Sequence, residues 1–388
     1  MAANSKVPIP RAFFFVAAAN FLFFLSLSFF FLLPLWVLEH GGGEEVAGRV
    51  IGVAGFSGLV VLPIIGYLLD RFGRRRFMVA GSAVAAATAF AYLRLDGIGP
   101  DLYVLRAIQG IAFTCAFTGA QTLAVLFAPL SRRAEALGWF GISTILTHAI
   151  SPIIGEEIVA RWGFTAMFGV AGAVAVAALA MACLIPKPPE LPVNTAVRGH
   201  DPELARRAVI SASLAMLCYG FGFGAVQTFV PVLMERFSIG RVGVFFSVWS
   251  MAAVAVRVFL GKASDRYGRR TVLLPAMAMM SLSVLILAFS RSLGGILTVA
   301  VIFGLAQGLL YPTMNALVAD WSNPKNIGRI QSIFSGSYGF GIASCSFFFG
   351  SIAEHQGYQT MFLVALAVTT VGLGIFLAGP KDLAVREA

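Results

Sequence analysis

Two arginines, Arg106 and Arg257, stand inside long apolar runs of a 388-residue chain in which only 12% of residues are charged. A guanidinium in such surroundings is costly without a partner, so each should face a polar interior where it can hold an anion or an acceptor. Arg106 snorkelling to a headgroup, and Arg257 reaching an interface as a gate-supporting charge, are the structural alternatives. His148, beside Thr147, is the only embedded group that titrates near neutral pH, and it reads as a proton carrier or as a hydrogen-bonded packing residue. No Asp or Glu falls in the middle of an apolar run, so a cavity lined by these residues is apolar and neutral to positive. By position, its uncharged polar candidates are Asn20, Thr114, Thr118, Gln121, Tyr219, Gln227, Trp249, Asn315 and Tyr338.

Enzyme chemistry finds little support. There is no Gly-x-x-x-x-Gly-Lys-Ser/Thr for a nucleotide and no His-Glu-x-x-His for zinc. Gly220-x-Gly222-x-Gly224 lies inside an apolar run rather than after a strand. The segment Glu39-His40…Glu44-Glu45 has metal-ligand side chains but reads as an acidic solvated loop, so neither a metal nor a cofactor is expected.

The elements that position these residues follow from composition. Apolar residues make up 59% of the chain, against about 45–50% in soluble domains, so the solvent for much of the surface is lipid. A span needs roughly 20 apolar residues to cross about 30 Å of hydrocarbon. That criterion gives twelve: 12–38, 46–69, 77–93, 102–127, 136–155, 163–185, 207–234, 241–263, 271–290, 293–319, 327–353 and 358–379. The first is too long for a signal-peptide core and has no cleavage site after it. The one long connection, 186–206, opens with four prolines and divides the chain into halves 1–185 and 207–388. The net charge of +10 comes from short clusters between apolar runs, which points to lipid headgroups and topology rather than nucleic acid. Six Lys and Arg (Arg49, Arg94, Arg161, Arg236, Arg241, Arg291) fall on one side of the membrane, two are embedded, and the other 20 fall on the opposite side. Positive-inside asymmetry then puts both termini in the cytoplasm of a multi-pass protein of the cytoplasmic membrane. The four cysteines lie in apolar runs and read as small buried hydrophobes.

The chain also repeats itself. Gly66-Tyr-Leu-Leu-Asp70-Arg71-Phe-Gly73-Arg74-Arg75 recurs as Gly261-Lys-Ala-Ser-Asp265-Arg266-Tyr-Gly268-Arg269-Arg270, 195 positions on. Gly163-Phe-Thr-Ala-Met-Phe recurs as Gly357-Tyr-Gln-Thr-Met-Phe at an offset of 194, so the unit is duplicated. Both copies of the first motif resemble the loop between the second and third helices of each half of major facilitator superfamily transporters. The resemblance runs nearly the whole length. It implies an all-α integral membrane fold, with twelve helices in two pseudo-symmetric six-helix bundles around a central cavity.

The resemblance also implies roles. Gly66, Asp70, Arg71, Gly73 and Arg74, with Gly261, Asp265, Arg266, Gly268 and Arg269, would form a cytoplasmic latch that opens and closes in each cycle. A solvated basic loop that only sets topology is the alternative. Leu102-x-x-x-Arg106-x-x-Gln109-Gly110 resembles the fourth-helix motif whose Arg is linked to proton coupling, and Arg106, Gly110, Thr114 and Thr118 recur every four residues as one polar stripe. The second half repeats Gln307-Gly308 but has Gly304 in place of the Arg. Ser151-Pro152-Ile-Ile-Gly155-Glu156 is a degraded form of an antiporter signature, and its counterpart, with Gly336, Gly339 and Gly341, reads as close helix packing. An eighth-helix Arg spaced like Arg257 meets the substrate carboxylate in oxalate and monocarboxylate carriers of the superfamily, although many drug exporters also have it. The expectation is a secondary transporter, monomeric by the family default, that exports amphipathic compounds or metabolites by proton antiport. The alternative is a carrier of small organic anions that uses Arg257 and Arg106.

Overall fold

The computed structural model describes residues 8–129, 132–187, 202–261, 263–321 and 327–380. Every regular element among them is helical. In order they are α1 (Arg11–Phe29), a 3-10 turn (Phe30–Leu32), α2 (Leu33–Glu39), α3 (Glu44–Phe72) and α4 (Arg74–Ala91). After a second 3-10 turn (Tyr92–Arg94) come α5 (Pro100–Phe127), α6 (Arg133–Cys183), α7 (Pro202–Arg236) and α8 (Val242–Leu260). The series closes with α9 (Ala263–Tyr267), α10 (Arg269–Phe289), α11 (Leu293–Asp320) and α12 (Ile327–Ala378).

Ten of these stretches are long and apolar enough to cross a membrane, where hydropathy predicts twelve. The difference is at two residues. α6 and α12 run through the segments expected to be loops and break at Gly163 (φ 77°, ψ 174°) and Gly357 (φ 84°, ψ 162°). Each is two helices meeting at a glycine, in a backbone region open almost only to Gly. The second sequence repeat is therefore this joint, and the first repeat behaves alike: Gly73 and Gly268 start α4 and α10 at φ 93° and φ 88°.

The chain packs as two units, Met1–Leu33 with Ser57–Pro192 and Pro34–Phe56 with Val193–Ala388. α2 and the first part of α3 thus belong with the later helices. In the first unit α1 packs on α6, and α4 on α5 and α6; in the second, α7 packs on α12, and α10 on α11 and α12. The same pairing twice is the structural form of the duplication. Phe13, Val16, Met78, Leu123 and Phe127 fill one core of the first unit. In the second, α7 and α12 approach so closely that a Cβ on Gly341 would lie 2.1 Å from the Leu217 carbonyl oxygen. Gly336 has no such neighbour.

Large apolar side chains remain exposed along the spans, Phe259 at 81% and Val60 at 73% among them. Water is a poor solvent for such a surface, and a multi-pass membrane protein presents it to lipid. Of the cysteines, Cys218 and Cys345 are buried as expected, Cys115 is half-buried, and Cys183 is exposed at the end of its helix.

Candidate functional site

In the second unit, the polar residues converge around Arg257. Its Nε donates to the carbonyl oxygen of Gly308 on α11 at 3.1 Å. That carbonyl is available because its helical donor would be residue 312, and residue 312 is Pro312, which has no N–H. Gly308 also admits the contact sterically, since a Cβ there would lie 2.3 Å from Val256 Cγ1 and 2.8 Å from the Ala253 carbonyl oxygen. The half-buried guanidinium is held by one edge, and among the described residues neither Nη has a carboxylate or other hydrogen-bond partner. A planar fork with both Nη groups uncommitted fits a carboxylate.

Around it stand Gln307, whose Nε2 donates to the Tyr338 hydroxyl at 3.1 Å, and Tyr311, which shares a hydrogen bond with Ser335 at 3.4 Å. Tyr338 lies within electrostatic reach of Arg257, and Asn315 within hydrogen-bonding reach of Tyr311. The rings of Tyr311 and Tyr338 are 5.2 Å apart, and Phe223 lies against Tyr338, Trp249 and Phe303. Arg257, Asn315, Tyr338 and Trp249 are thus brought together as candidates. Sequence position alone does not point to Tyr311 and Gln307 as cavity residues, although the Tyr311-Pro312 dipeptide inside an apolar run is a visible signal. Tyr219 is fully buried where α7 meets α12, its ring facing Gly372. Gln227 is half-buried on α7.

In the first unit Arg106 is buried at 6% exposure, with Nη1 donating to Gln109 Oε1 at 2.5 Å. The Tyr92 hydroxyl donates to the same oxygen at 3.4 Å. Tyr92 packs in turn against Phe30 and Phe168, so this cluster is enclosed by aromatic rings and Arg106 does not snorkel. The stripe beyond it winds, since each four-residue step advances about 40° around a helix. Thr114 is buried and donates to the Gly110 carbonyl, Thr118 is half-buried, and Gln121 is exposed. Gly304, which replaces the Arg in the second half, is explained by packing, because a Cβ there would lie 2.3 Å from the Trp249 carbonyl oxygen on α8. His148 is half-buried between α1 and α6, with Phe31 and Phe24 at ring distances of 5.0 Å and 6.3 Å. Ser151 of the degraded signature donates to the Leu25 carbonyl at 2.6 Å, and Asn20 donates to Thr144 at 2.9 Å.

The side chains of Asp70 and Asp265 lie outside the described residues, as do residues 188–201 of the expected linker. The loop arginines are described. Arg75 donates to the Cys183 carbonyl at 2.6 Å, and its counterpart Arg270 donates to the carbonyls of Phe376, Leu377 and Pro380. Both therefore cap the end of the last helix of their unit. Arg71 lies over Phe72 and Arg266 over Tyr267, with both arginines exposed, as are Gly66 and Gly261. Arg74 is half-buried at the start of α4. Arg269 pairs with Asp320 at the end of α11 at 2.5 Å.

One acidic residue departs from expectation. Glu44 is not in a solvated loop; it starts α3 with a side chain 8% exposed. Its Oε1 accepts from the Tyr358 hydroxyl at 2.9 Å and lies 3.9 Å from Arg236 Nε. Glu354 Oε2 accepts from the Glu45 N–H at 2.8 Å, capping the same helix start. His40 turns away, its Nδ1 2.8 Å from the Trp36 carbonyl oxygen.

The family model described as Major Facilitator Superfamily matches residues 13–240 and 212–387. The staphylopine export protein of Staphylococcus aureus is 23% identical, covering 92% of this chain and 95% of that protein. An uncharacterised MFS-type transporter of Salmonella typhimurium is also 23% identical, over 93% and 94%. Among solved structures, the human organic anion transporter MFSD10 superposes with a TM-score of 0.75 at 15% identity, over 96% of this chain and all of that one. A point mutant of the nucleoside transporter NupG does so with a TM-score of 0.75 at 15% identity, over 95% of this chain and all of that one. With repeated helix pairing, an apolar outer surface and a family match along nearly its whole length, the chain belongs to the Major Facilitator Superfamily and is a membrane transporter of a small solute rather than an enzyme.

Proposed function

We propose that this protein exports a small organic solute bearing a carboxylate, in exchange for protons, with Arg257 gripping the carboxylate. The observation that carries the anion is the guanidinium anchored only by Nε to a backbone carbonyl, with no acid against it among the described residues. The name of the staphylopine exporter supports the outward direction. The excess of Lys and Arg on one side supports cytoplasmic termini and the cytoplasmic membrane. On this reading a monomer works by alternating access of halves 1–185 and 207–388, joined by 186–206. The paired loops act as the cytoplasmic latch, and Arg106, Gln109 and His148 take part in coupling. Asp70→Asn then impairs turnover while binding stays largely in place; normal transport by that variant removes the latch reading.

A second reading is export of neutral or cationic amphiphiles, favoured by the rings of Phe223, Tyr311 and Tyr338 beside the site. Substrate-induced thermal stabilisation of the purified protein separates the two, with organic anions in one panel, neutral and cationic amphiphiles in the other, and Arg257→Gln run in parallel. Stabilisation by carboxylates that vanishes in Arg257→Gln is the expected result. Stabilisation by amphiphiles alone, equal in both proteins, makes Arg257 structural.

A further inference from the structure

We propose that the Arg257 site takes a ligand carrying, near its carboxylate, a hydrogen-bond donor such as a hydroxyl or amine, and that Gln307 Oε1 receives that donor. The proposal rests on the anion reading above and narrows it to hydroxy or amino acids.

Gln307 uses only half of its amide. Its Nε2 donates to Tyr338, while Oε1 is buried with no hydrogen-bond partner among the described residues. A buried acceptor left unmet is destabilising, and native proteins keep few of them. Gln307 is also the residue before Gly308, whose carbonyl pins Arg257, and its partner Tyr338 lies within electrostatic reach of Arg257. The uncommitted Nη groups and the unmet oxygen therefore belong to one small cluster on α8, α11 and α12. The first offers two donors to an anion, and the second asks for a donor in return. A plain carboxylate satisfies one of them; a hydroxy or amino acid satisfies both. A site built around a polar group discriminates strongly against the analogue that lacks it, because the unmet partner stays buried. The neighbouring rings of Phe223, Tyr311 and Tyr338 would offer apolar contact to a body carried beyond the polar head.

The test uses the full-length protein in detergent and two carbon skeletons, propionate and 3-phenylpropionate. Each is compared with its 2-hydroxy, 3-hydroxy and 2-amino derivatives by titration calorimetry. At least one derivative is expected to bind about tenfold or more tighter than its parent acid. In Gln307→Leu that advantage should fall to about twofold or less while the parent acids keep their affinity, and in Tyr338→Phe, which spares Oε1, it should persist. Equal affinity of parents and derivatives in the unaltered protein overturns the proposal and leaves the anion reading standing, as does an advantage that survives Gln307→Leu. Should none of the acids bind, the anion reading falls and this proposal falls with it. The substituent series alone decides the matter if Gln307→Leu does not fold.

Discussion

Pro312→Ala tests how Arg257 is held. The substitution gives residue 312 an N–H, which is the helical donor that the Gly308 carbonyl lacks, so Arg257 Nε must share or surrender its anchor. A hydrogen bond from a charged group contributes about 1.5–3 kcal/mol. Losing half or more of it frees the guanidinium to rotate and weakens its grip on a carboxylate by about 1.4 kcal/mol, or roughly tenfold in Kd. The effect on the fold has the opposite sign. Proline in a helix interior costs about 3 kcal/mol relative to alanine, part of which α11 already absorbs, so the ligand-free Tm should hold or rise. A variant that is at least as stable yet binds about tenfold weaker is not explained by damage to the fold. Thermal unfolding without ligand and calorimetric titration with a bound carboxylate measure the two effects. Arg257→Lys is the companion variant, since one ammonium cannot both hold Gly308 and grip a carboxylate through a fork. Unchanged affinity in Pro312→Ala refutes the anchoring argument, and so does a fall in Tm that accompanies the weaker binding.

Three further outcomes are expected. Tyr358→Phe leaves the buried Glu44 carboxylate without its 2.9 Å donor and should cost about 1–3 kcal/mol in unfolding experiments; no change would mean that Arg236 alone suffices. Gly163→Ala and Gly357→Ala each force a side chain into positive φ with extended ψ, at about 1–3 kcal/mol apiece, so each should lower Tm while Gly336→Ala, which meets nothing within 4 Å, does not. Asp320→Asn breaks a pair whose partners are 24% and 43% exposed, so stability should change by no more than about 1 kcal/mol. A transport rate that falls well beyond that change would tie Arg269 to the working cycle, and an unaltered rate would leave the pair as surface support.

Much of the fold is legible in the residues. Hydropathy locates the membrane-spanning helices because lipid demands roughly 20 apolar residues in a row, most of them to within a few positions, and the duplicated motifs expose the two halves. The presence of Arg106 and Arg257 inside spans already says that something polar must meet them. Even the joints at Gly163 and Gly357 are visible as a repeat, although hydropathy reads the residues before each glycine as loop when they are helical.

What tertiary structure decides is which distant residues meet. Arg257 and Gly308 are 51 positions apart, and the missing N–H of Pro312 acquires meaning only once α8 lies against α11. Glu44 reads as solvated from its acidic neighbours and is buried because Tyr358, 314 positions later, covers it. Tyr219 and Tyr338 are equivalent candidates in an apolar sequence, yet the Tyr219 ring faces Gly372 while Tyr338 accepts from Gln307 within electrostatic reach of Arg257. Periodicity in an all-apolar helix carries almost no signal about which face turns inward, since lipid and protein core accept the same side chains. Composition and the repeated motifs therefore determine that this chain spans the membrane as a duplicated helical bundle, and packing alone determines which of its few polar groups meet a partner within the chain.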